Sequence, residues 1–261
     1  MINQDRFGGK KITVAGLARS GYASANLLYK LGADVYVTDN RDNDLTRSYA
    51  AELAAKGIKV EIGSHSADFI KGKDLLVVSP GIPDSAPPIV MAGKFNVPAI
   101  SEIELGWLLC PAAVIAVTGS NGKTTVTTLI GMALKAAGKR VFVCGNIGNP
   151  FCGEVEKMET GDFVSLEVSS FQLEMIREFK PEISLILNFS RNHLDRYKDI
   201  QEYLRAKKRI FMNQDSSDCL ILNKEDPLSA GLAAEANARV EYFSGGEGFN
   251  PNQSALLSVA G

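Results

Sequence analysis

A glycine-rich segment at residues 118–125, TGSNGKTT, has the residue types that hold phosphate groups. Glycines let the backbone curl around phosphate oxygens, a lysine supplies positive charge, and an adjacent hydroxyl can ligate Mg²⁺. Gly119, Gly122, Lys123 and Thr124 follow in that order, between an apolar run and a helical pattern whose N-terminus adds partial positive charge. The segment predicts a nucleoside triphosphate site, and a glycine-rich turn with an exposed lysine is the alternative.

A second glycine-rich turn, GLARSG at residues 16–21, follows the first apolar run of the chain. It is similar to the dinucleotide fingerprint GxGxxG, and the acidic Asp39 ends the next predicted strand as that fingerprint requires. Ala18 occupies the place of the second glycine, where the missing side chain lets a pyrophosphate approach the backbone. Binding of NAD in the usual manner is therefore not expected, and a tight turn without a ligand stays open.

Further polar residues follow predicted strands beyond the phosphate-binding segment. Glu167 and Ser169 end an apolar run, and a carboxylate at the carboxyl end of a strand beside such a loop is well placed to hold Mg²⁺. His193 lies in NHLDRY, just past the next run, so it should reach the same sheet edge. The basic segment at residues 203–211 has, on spacing alone, the pattern of a solvated helix face.

These residues require elements that place them together, and the sequence predicts parallel sheets. Short β-branched runs alternate with helical stretches, which is typical of βαβ units. The predicted strands are residues 11–16, 34–39, 59–63, 74–81, 113–119, 140–145, 162–169, 182–189, 219–223 and 239–243. The predicted helices are residues 20–31, 45–56, 102–109, 124–137, 200–211 and 228–236. Four prolines between Pro80 and Pro88 predict a loop there, and the stretch after Ser244 has the pattern of the start of a hairpin.

The pattern restarts near residue 101, which predicts two domains. We expect an α/β protein with an N-terminal Rossmann-like parallel sheet over residues 1–100, followed by a P-loop NTPase-like α/β domain over residues 101–261. A length of 261 residues allows two domains with a core each.

Composition excludes several classes of protein. The chain has 28 basic and 30 acidic residues, which gives no polycationic surface for nucleic acid or membrane. No apolar run reaches the ~18 residues of a membrane span, and the start MINQDRFGGKK lacks the apolar stretch of a secretory signal. Four scattered cysteines and two histidines give no zinc-site spacing. We expect a cytoplasmic protein without a nucleic-acid or membrane partner.

Seven segments in order resemble the ATP-dependent Mur ligases of peptidoglycan synthesis, and the resemblance covers essentially the whole chain. The segments are GLARSG, SPGI (79–82), TGSNGKTT, GNIG (145–148), LEVSSFQLE (166–174), NHLDRY (192–197) and AKKRIF (206–211). Within the family, SSFQLE beside GNIG indicates the member that adds D-glutamate. The implied partners are UDP-N-acetylmuramoyl-L-alanine, D-glutamate and ATP, and the implied state is a monomer.

The resemblance also implies roles for individual residues. Around the uridine it places Gly16, Leu17, Ala18, Arg19, Ser20, Asp39 and Asn40, and around the diphosphate Ser79, Pro80 and Gly81. A UDP-sugar in place of a dinucleotide accounts for Ala18. Around ATP it places Gly119, Ser120, Asn121, Gly122, Lys123, Thr124 and Thr125. Thr124 and Glu167 would hold one Mg²⁺, while Asn146, Ser169 and His193 would contact the muramoyl-alanine or a second Mg²⁺.

Lys207 matches the lysine that the family carboxylates with CO₂. A carbamate turns the cation into an anionic oxygen ligand, which suits a hard Mg²⁺ ion near the transferred phosphoryl group. The modification requires a neutral amine, and we expect the adjacent Lys208 and Arg209 to favour it by opposing a third positive charge. The implied catalytic set is Lys123, Glu167, His193 and Lys207, and the implied reaction passes through an acyl phosphate.

Three other interpretations stay open at this stage. The first is a different Mur-type ligase or a folylpolyglutamate synthase, which are similar at residues 118–125. The second is an NAD-dependent oxidoreductase, which Ala18 argues against. The third is a non-catalytic UDP-sugar-binding module, because the family has a C-terminal domain that closes over ATP and that we expect this chain to lack. On that expectation the chain is inactive or weakly active by itself.

Overall fold

The computed structural model describes residues 6–190 and 197–245, in which the strands form two parallel sheets. The strands are β1 (Lys11–Ala15), β2 (Asp34–Asp39), β3 (Lys59–Ile62), β4 (Leu75–Val78), β5 (Ala99–Ser101), β6 (Ala113–Thr118), β7 (Val141–Gly145), β8 (Phe163–Glu167), β9 (Ile183–Ile186), β10 (Cys219–Asn223) and β11 (Arg239–Phe243). The first sheet has the order β3-β2-β1-β4-β5 and the second β11-β10-β9-β6-β8-β7. This confirms the predicted α/β class.

Helices connect the strands. They are α1 (Arg19–Lys30), α2 (Asp44–Ala54), α3 (Pro87–Lys94), α4 (Glu102–Leu109), α5 (Lys123–Ala136), α6 (Phe151–Glu154), α7 (Ser170–Leu173), α8 (Ile200–Lys208) and α9 (Pro227–Gly231). None of the helices in the described parts of the chain is long and apolar enough to cross a membrane.

Three predictions about elements were wrong in detail. Pro87 and Pro88 do not lie in a loop but open α3, where the missing proline N–H is no loss because the first helical N–H groups have no partner inside the helix. The helix predicted over residues 200–211 is α-helical only to Lys208 and continues as a 3₁₀ turn. The four-residue helices α6 and α7 were missed, since one turn carries no periodicity.

Helices α1, α4 and α6 pack together between the two sheets. Leu28 of α1, Leu105 of α4 and Phe151 of α6 are buried in one continuous apolar core with strand residues of both sheets, such as Val14 and Val164. Gly106 lets α4 approach α6, because a Cβ at that position would lie 2.5 Å from Cδ1 of Phe151. The chain passes from β5 into α4 without a break between Ser101 and Glu102.

Parallel pairing gathers the predicted site residues at the carboxyl edges of the sheets. In the first sheet, β1, β2 and β4 are neighbours and end beside the turn at Gly16, at Asp39 and before Ser79. In the second sheet, β6 lies between β8 and β9, so its following loop meets Glu167 on one side and Asn188 on the other. Ligand sites in parallel α/β sheets form at such edges.

Candidate active site

The phosphate-binding segment is a tight loop between β6 and α5. Gly119 has φ +155° and a Cβ there would lie 2.9 Å from Cβ of Leu187, while Gly122 has φ +81° directly before α5. Both positions therefore favour glycine, and the loop can close around phosphate oxygens. Lys123 Nζ donates to the carbonyl oxygens of Gly119 (3.0 Å) and Ser120 (3.1 Å), so its ammonium lies across the loop.

The loop is fastened to the residues that follow β9. The Ser120 N–H donates to the Asn188 carbonyl at 2.9 Å, and the Asn121 N–H donates to Asn188 Oδ1 at 2.9 Å. The hydroxyls of Ser120 and Tyr203 lie 3.2 Å apart. Asn188 and Tyr203 were missed in the sequence; the position of Asn188 just after a strand was the available signal, whereas nothing in the sequence links Tyr203 to the loop.

Glu167 lies at the end of β8 with 1% of its surface exposed. Thr124 Oγ1 donates to Glu167 Oε2 at 2.8 Å, and Asn146 Nδ2 donates to Glu167 Oε1 at 2.8 Å. Thr124, Asn146 and Glu167 therefore lie together, and Asn146 is hydrogen-bonded to the Glu167 carboxylate. Thr125 follows on the exposed side of α5.

The donor set at Glu167 fits Mg²⁺ better than a transition metal. A hydroxyl and a carboxylate are hard oxygen ligands, and Mg²⁺ sites commonly use one or two carboxylates together with substrate phosphates and water. Across the described residues no group of three or more His, Cys, Asp or Glu side chains could form an all-protein metal cage. A Mg²⁺ ion held by Thr124 and Glu167 would take its remaining ligands from water or from a bound phosphate.

Lys207 is buried against the same loop, with 1% of its surface exposed. Its Nζ donates to the Gly119 carbonyl at 2.8 Å and to Thr118 Oγ1 at 3.2 Å, and lies 4.7 Å from the centre of the Tyr203 ring. Burial, with a further contribution from the Lys123 charge, holds the pKa of Lys207 well below its ordinary value. Burial also lowers the pKa of Lys123, while the Glu167 charge opposes that shift.

The prediction that Lys208 and Arg209 favour the neutral amine of Lys207 was wrong. Lys208 Nζ forms an ion pair with Glu235 at 2.6 Å, and Arg209 donates to the carbonyls of Leu173 and Ile176. Lys208 at the end of α8 and Arg209 in the following 3₁₀ turn thus have partners of their own, and the cation that lowers the pKa of Lys207 is Lys123.

Ser169 and Gln172 lie where α7 begins. Ser169 caps α7: its hydroxyl accepts the Gln172 N–H, and Gln172 Oε1 accepts the Ser169 N–H at 2.9 Å. Gln172 Nε2 is buried and has no hydrogen-bond partner among the described residues. Gln172 lines a pocket with Ser79, Pro80 and Gly81, so the segment after β8 meets the segment after β4. Gln172 was not predicted; SSFQLE was noted only as a family marker.

The first glycine-rich turn is fixed by Asp39. The Leu17 N–H donates to Asp39 Oδ2 at 2.6 Å, and the Arg41 guanidinium donates to both carboxylate oxygens. Burial would raise the pKa of Asp39, but hydrogen bonds from Arg41 and Leu17 outweigh it and hold the pKa below its ordinary value. Gly16 has φ +91°, and its carbonyl accepts the Ser79 hydroxyl at 3.1 Å. The structure thus joins Gly16, Leu17, Asp39 and Ser79.

Other predicted residues surround this turn. Ala18 caps α1 without a side-chain hydrogen bond, Ser20 is half-buried in its first turn, and Asn40 is exposed beside Asp39. Arg19 Nη1 donates to the Gly148 carbonyl at 3.0 Å, which connects the turn to GNIG of the second sheet. His193, predicted to contact substrate or metal, lies outside the described residues.

The chain has two parallel sheets, and each has a glycine-rich turn at its carboxyl edge. The turn of the second sheet contains a lysine. Together these features are those of a nucleotide-binding α/β protein. Residues 117–255 match the family described as the Mur ligase middle domain, and residues 10–101 match the family described as the MurD-like N-terminal domain of Mur ligases. The chain belongs to the Mur ligase family.

Two curated relatives share one name. The chain is 45% identical over 232 residues to a UDP-N-acetylmuramoylalanine–D-glutamate ligase of Geobacter metallireducens. The aligned region covers 89% of this chain and 51% of the relative. It is 46% identical over 231 residues to the protein of that name in Geotalea uraniireducens, covering 88% and 51%. The chain spans about half the length of the curated relatives it matches.

Solved structures of the family share the fold. A ligase from Neisseria meningitides, named UDP-N-acetylmuramate:L-alanyl-gamma-D-glutamyl-meso-diaminopimelate ligase, aligns with TM-score 0.61 at 19% identity, covering 90% of this chain and 78% of its own. UDP-N-acetylmuramate-alanine ligase MurC from Thermotoga maritima aligns with TM-score 0.50 at 26% identity, covering 85% and 51%.

Proposed function

We propose that this chain carries the UDP-substrate and ATP sites of an ATP-dependent ligase that adds D-glutamate to UDP-N-acetylmuramoyl-L-alanine. The names of its relatives support the choice of substrates. In this proposal residues 1–100 form a UDP-binding domain and residues 101–261 an ATP-binding domain. The chain acts as a cytoplasmic monomer, without a nucleic-acid or membrane partner.

The second sheet would bind ATP through the loop of residues 119–125. The loop amides and the N-terminus of α5 would hold phosphate oxygens, and Lys123, released from the Gly119 and Ser120 carbonyls, would neutralise their charge. Thr124 and Glu167 would hold Mg²⁺, which neutralises charge on the phosphates when bound. The hydrogen bond from Asn146 fixes the orientation of the Glu167 carboxylate.

Lys207 would carry a carbamate. Its neutral amine forms an N–C bond to CO₂, one C=O π bond opens to the carboxylate, and the nitrogen loses a proton. The burial of Lys207 and its 2.8 Å contact with Gly119 place this group beside the phosphate loop. The anionic oxygens would serve a second Mg²⁺, to which His193 would also contribute.

The first sheet would bind the UDP end. The turn at residues 16–20, with Asp39 and Asn40, would contact the uridine, and residues 79–81 the diphosphate. The ionised Asp39 orients both the turn and Arg41. Asn146, Ser169 and Gln172 would contact the muramoyl-alanine end, since Gln172 and residues 79–81 line one pocket.

The reaction activates a poor acyl donor. The alanyl carboxylate oxygen bonds to the γ-phosphorus of ATP, and the bond between that phosphorus and the bridging oxygen breaks to release ADP. The amino group of D-glutamate then attacks the acyl carbon, phosphate leaves with the C–O bond electrons, and the nitrogen loses a proton. Positioning and charge neutralisation by Lys123 are the main contributions of the residues of this chain.

The observation that carries the proposal is the convergence of Lys123, Thr124, Glu167 and Lys207 on one loop. The test measures phosphate release from ATP and Mg²⁺ with UDP-N-acetylmuramoyl-L-alanine, with and without D-glutamate, and ATP binding by calorimetry. Lys123→Ala should weaken ATP binding and lower whatever ATP turnover the unmodified chain shows by about 100-fold or more, because the charge that this half-buried lysine would place on the phosphates is lost.

Lys135→Ala is the matched control, since Lys135 lies in the last turn of the same helix, away from the loop. It should leave ATP binding unchanged. Equal ATP binding by Lys123→Ala and the unmodified chain would contradict the ATP site, and phosphate release stimulated by folate but not by the UDP-sugar would contradict the substrate.

A further inference from the structure

Glu102 is a buried carboxyl group outside the sites described above. It is the first residue of α4, and 1% of its surface is exposed. Its Oε1 accepts the Cys152 N–H at 2.7 Å, whereas its Oε2 is buried and has no hydrogen-bond partner among the described residues. A buried carboxylate oxygen without a donor is costly when charged. Burial with one unpaired oxygen therefore favours the neutral form of this group.

The groups facing Glu102 come from three elements and include no cation. Helix α6 contributes the Phe151 and Cys152 N–H groups and the Cys152 thiol, which donates to the Glu102 carbonyl at 3.3 Å. Strand β7 contributes the Cys144 thiol, and Ser24 of α1 lies against Cys152. Burial raises the pKa of both thiols, so both are neutral at neutral pH and add no negative charge beside Glu102. No lysine, arginine or histidine within residues 6–190 and 197–245 pairs with Glu102.

Helix α6 lies between Glu102 and the turn GNIG (145–148). Two residues separate α6 from GNIG, and one of them, Asn149, donates from Nδ2 to Glu154 Oε1 at 2.6 Å, which connects this short segment to the helix. In the same turn, Asn146 contacts Glu167 and the Gly148 carbonyl accepts Arg19 from the first sheet. GNIG therefore contacts both the turn at residues 16–21 and Glu167, and a shift of α6 would move it.

We propose that Glu102 is a protonation-sensitive positioning residue that holds α1, α4 and α6 together when neutral and loosens them when it ionises. Substrate affinity then depends on pH through the spacing between the turn at residues 16–21 and GNIG. This last step rests on the function proposed above. No ligand has to bind Glu102 itself.

The direction of the pH effect follows from the burial of the group. Burial raises the pKa of Glu102 from 4.5 to about 7, with the N–H bonds of Cys152 and Phe151 opposing the shift. An acid whose pKa is raised in the folded chain stabilises the fold below its unfolded pKa and loses that contribution as pH rises through the folded value. The free energy of unfolding should therefore be largest below about pH 4.5 and fall as pH rises to about 7. The native packing follows the ionisation of Glu102 itself and should loosen around pH 7.

Trp107 gives a direct readout, because it is the single tryptophan of the chain and lies on α4. In the 261-residue chain, Trp107 emission recorded between about pH 5.5 and 8.5 should change with a midpoint near 7. Glu102→Gln, which copies the neutral form, should abolish this change. Glu182→Gln is the control for loss of a carboxyl elsewhere: the exposed Glu182 precedes β9, its carboxylate accepts the Val114 N–H at 2.6 Å, and desolvation of that carboxylate raises its pKa. This control should retain the change.

Two outcomes would overturn the proposal: a pH-independent Trp107 emission in the unmodified chain, or a transition that persists in folded Glu102→Gln. A measurement on the unmodified chain covers the case in which the variant fails to fold. Hydrogen exchange of residues 146–157, corrected for intrinsic rates, should lose protection as pH rises through 7. Constant protection would contradict the proposal.

The affinity for UDP separates this inference from the proposed function. UDP affinity of the unmodified chain should fall by about threefold or more from pH 6 to pH 8, and that of Glu102→Gln by less than about twofold. Equal falls in both proteins would contradict the link to substrate. If UDP binds neither protein, the proposed UDP site is wrong, while the Trp107 titration still decides the role of Glu102.

Discussion

At the scale of residues, two adjacent lysines have opposite environments. Lys207 is buried against the phosphate loop, whereas Lys208 is a third exposed and paired with Glu235. The sequence alone gives a run of cations, and the assignment to Lys207 came from a family resemblance. The structure supplies the physical reason for distinguishing them, because of the two only Lys207 lies against the loop of residues 119–125.

We predict that Lys207→Ala lowers ATP turnover by about 100-fold or more, since a charged group in a water-poor site is lost. Short carboxylates such as formate should restore part of it by replacing the carbamate oxygens. The measurement is phosphate release, as above.

Lys208→Ala is the control and should stay within about twofold of the unmodified chain, because a partly exposed ion pair contributes little. Comparable losses in both variants, or full turnover in Lys207→Ala, would show that the carbamate assignment is wrong.

At the scale of elements, α1 must begin close to the turn that precedes it. A Cβ on Gly21 would overlap the carbonyl oxygen of Gly16, whereas a Cβ on Gly93 of α3 has no atom within 4 Å. Both are helical glycines without a positive φ, so they differ in packing and not in backbone conformation. The sequence identifies GLARSG as a turn. Which glycine has no room for a side chain depends on packing distances that the sequence does not show.

We predict that Gly21→Ala lowers the free energy of unfolding by about 2 kcal/mol or more through overpacking. Gly93→Ala should raise it by about 0.5–1 kcal/mol, since alanine loses less conformational entropy in a helix. Urea denaturation followed by circular dichroism measures both changes. A Gly21→Ala protein as stable as Gly93→Ala would contradict the close contact between α1 and the turn.

At the scale of the whole molecule, the two sheets share one apolar core through α1, α4 and α6. Phe151 is fully buried at this junction and lies against Gly106. Ion pairs such as Arg6 with Glu178 at 2.5 Å are largely exposed and contribute little by comparison. Apolar burial at the junction therefore dominates the stability of the arrangement.

We predict that Phe151→Ala lowers the free energy of unfolding by about 3–5 kcal/mol. Trp107 emission and far-ultraviolet circular dichroism should still report coincident urea transitions, because both sheets depend on the junction. Phe142→Ala on β7 is the control and should cost less, since Phe142 is only half-buried. Separate transitions in the unmodified chain would show that the sheets unfold independently.

Local sequence was sufficient for the alternation of strands and helices, the parallel sheets and the phosphate loop. Hydrophobic periodicity and glycine placement are short-range signals that act within one turn or strand. The sequence also identified Glu167, because a strand end beside the loop is readable from spacing. The sequence was misleading at Pro87, which was predicted to lie in a loop but begins α3. Proline is tolerated there because the first N–H groups of a helix have no partner inside the helix.

Only the tertiary structure decided which residues meet. Asn188, Tyr203 and Gln172 became visible as partners of the candidate site because residues far apart in the chain pack together. The environment of Lys207 and the buried carboxyl of Glu102 were decided in the same way, since burial and pKa depend on atoms from several elements. Local sequence patterns therefore determined the fold class and the kind of chemistry. Long-range packing determined which side chains form the candidate site.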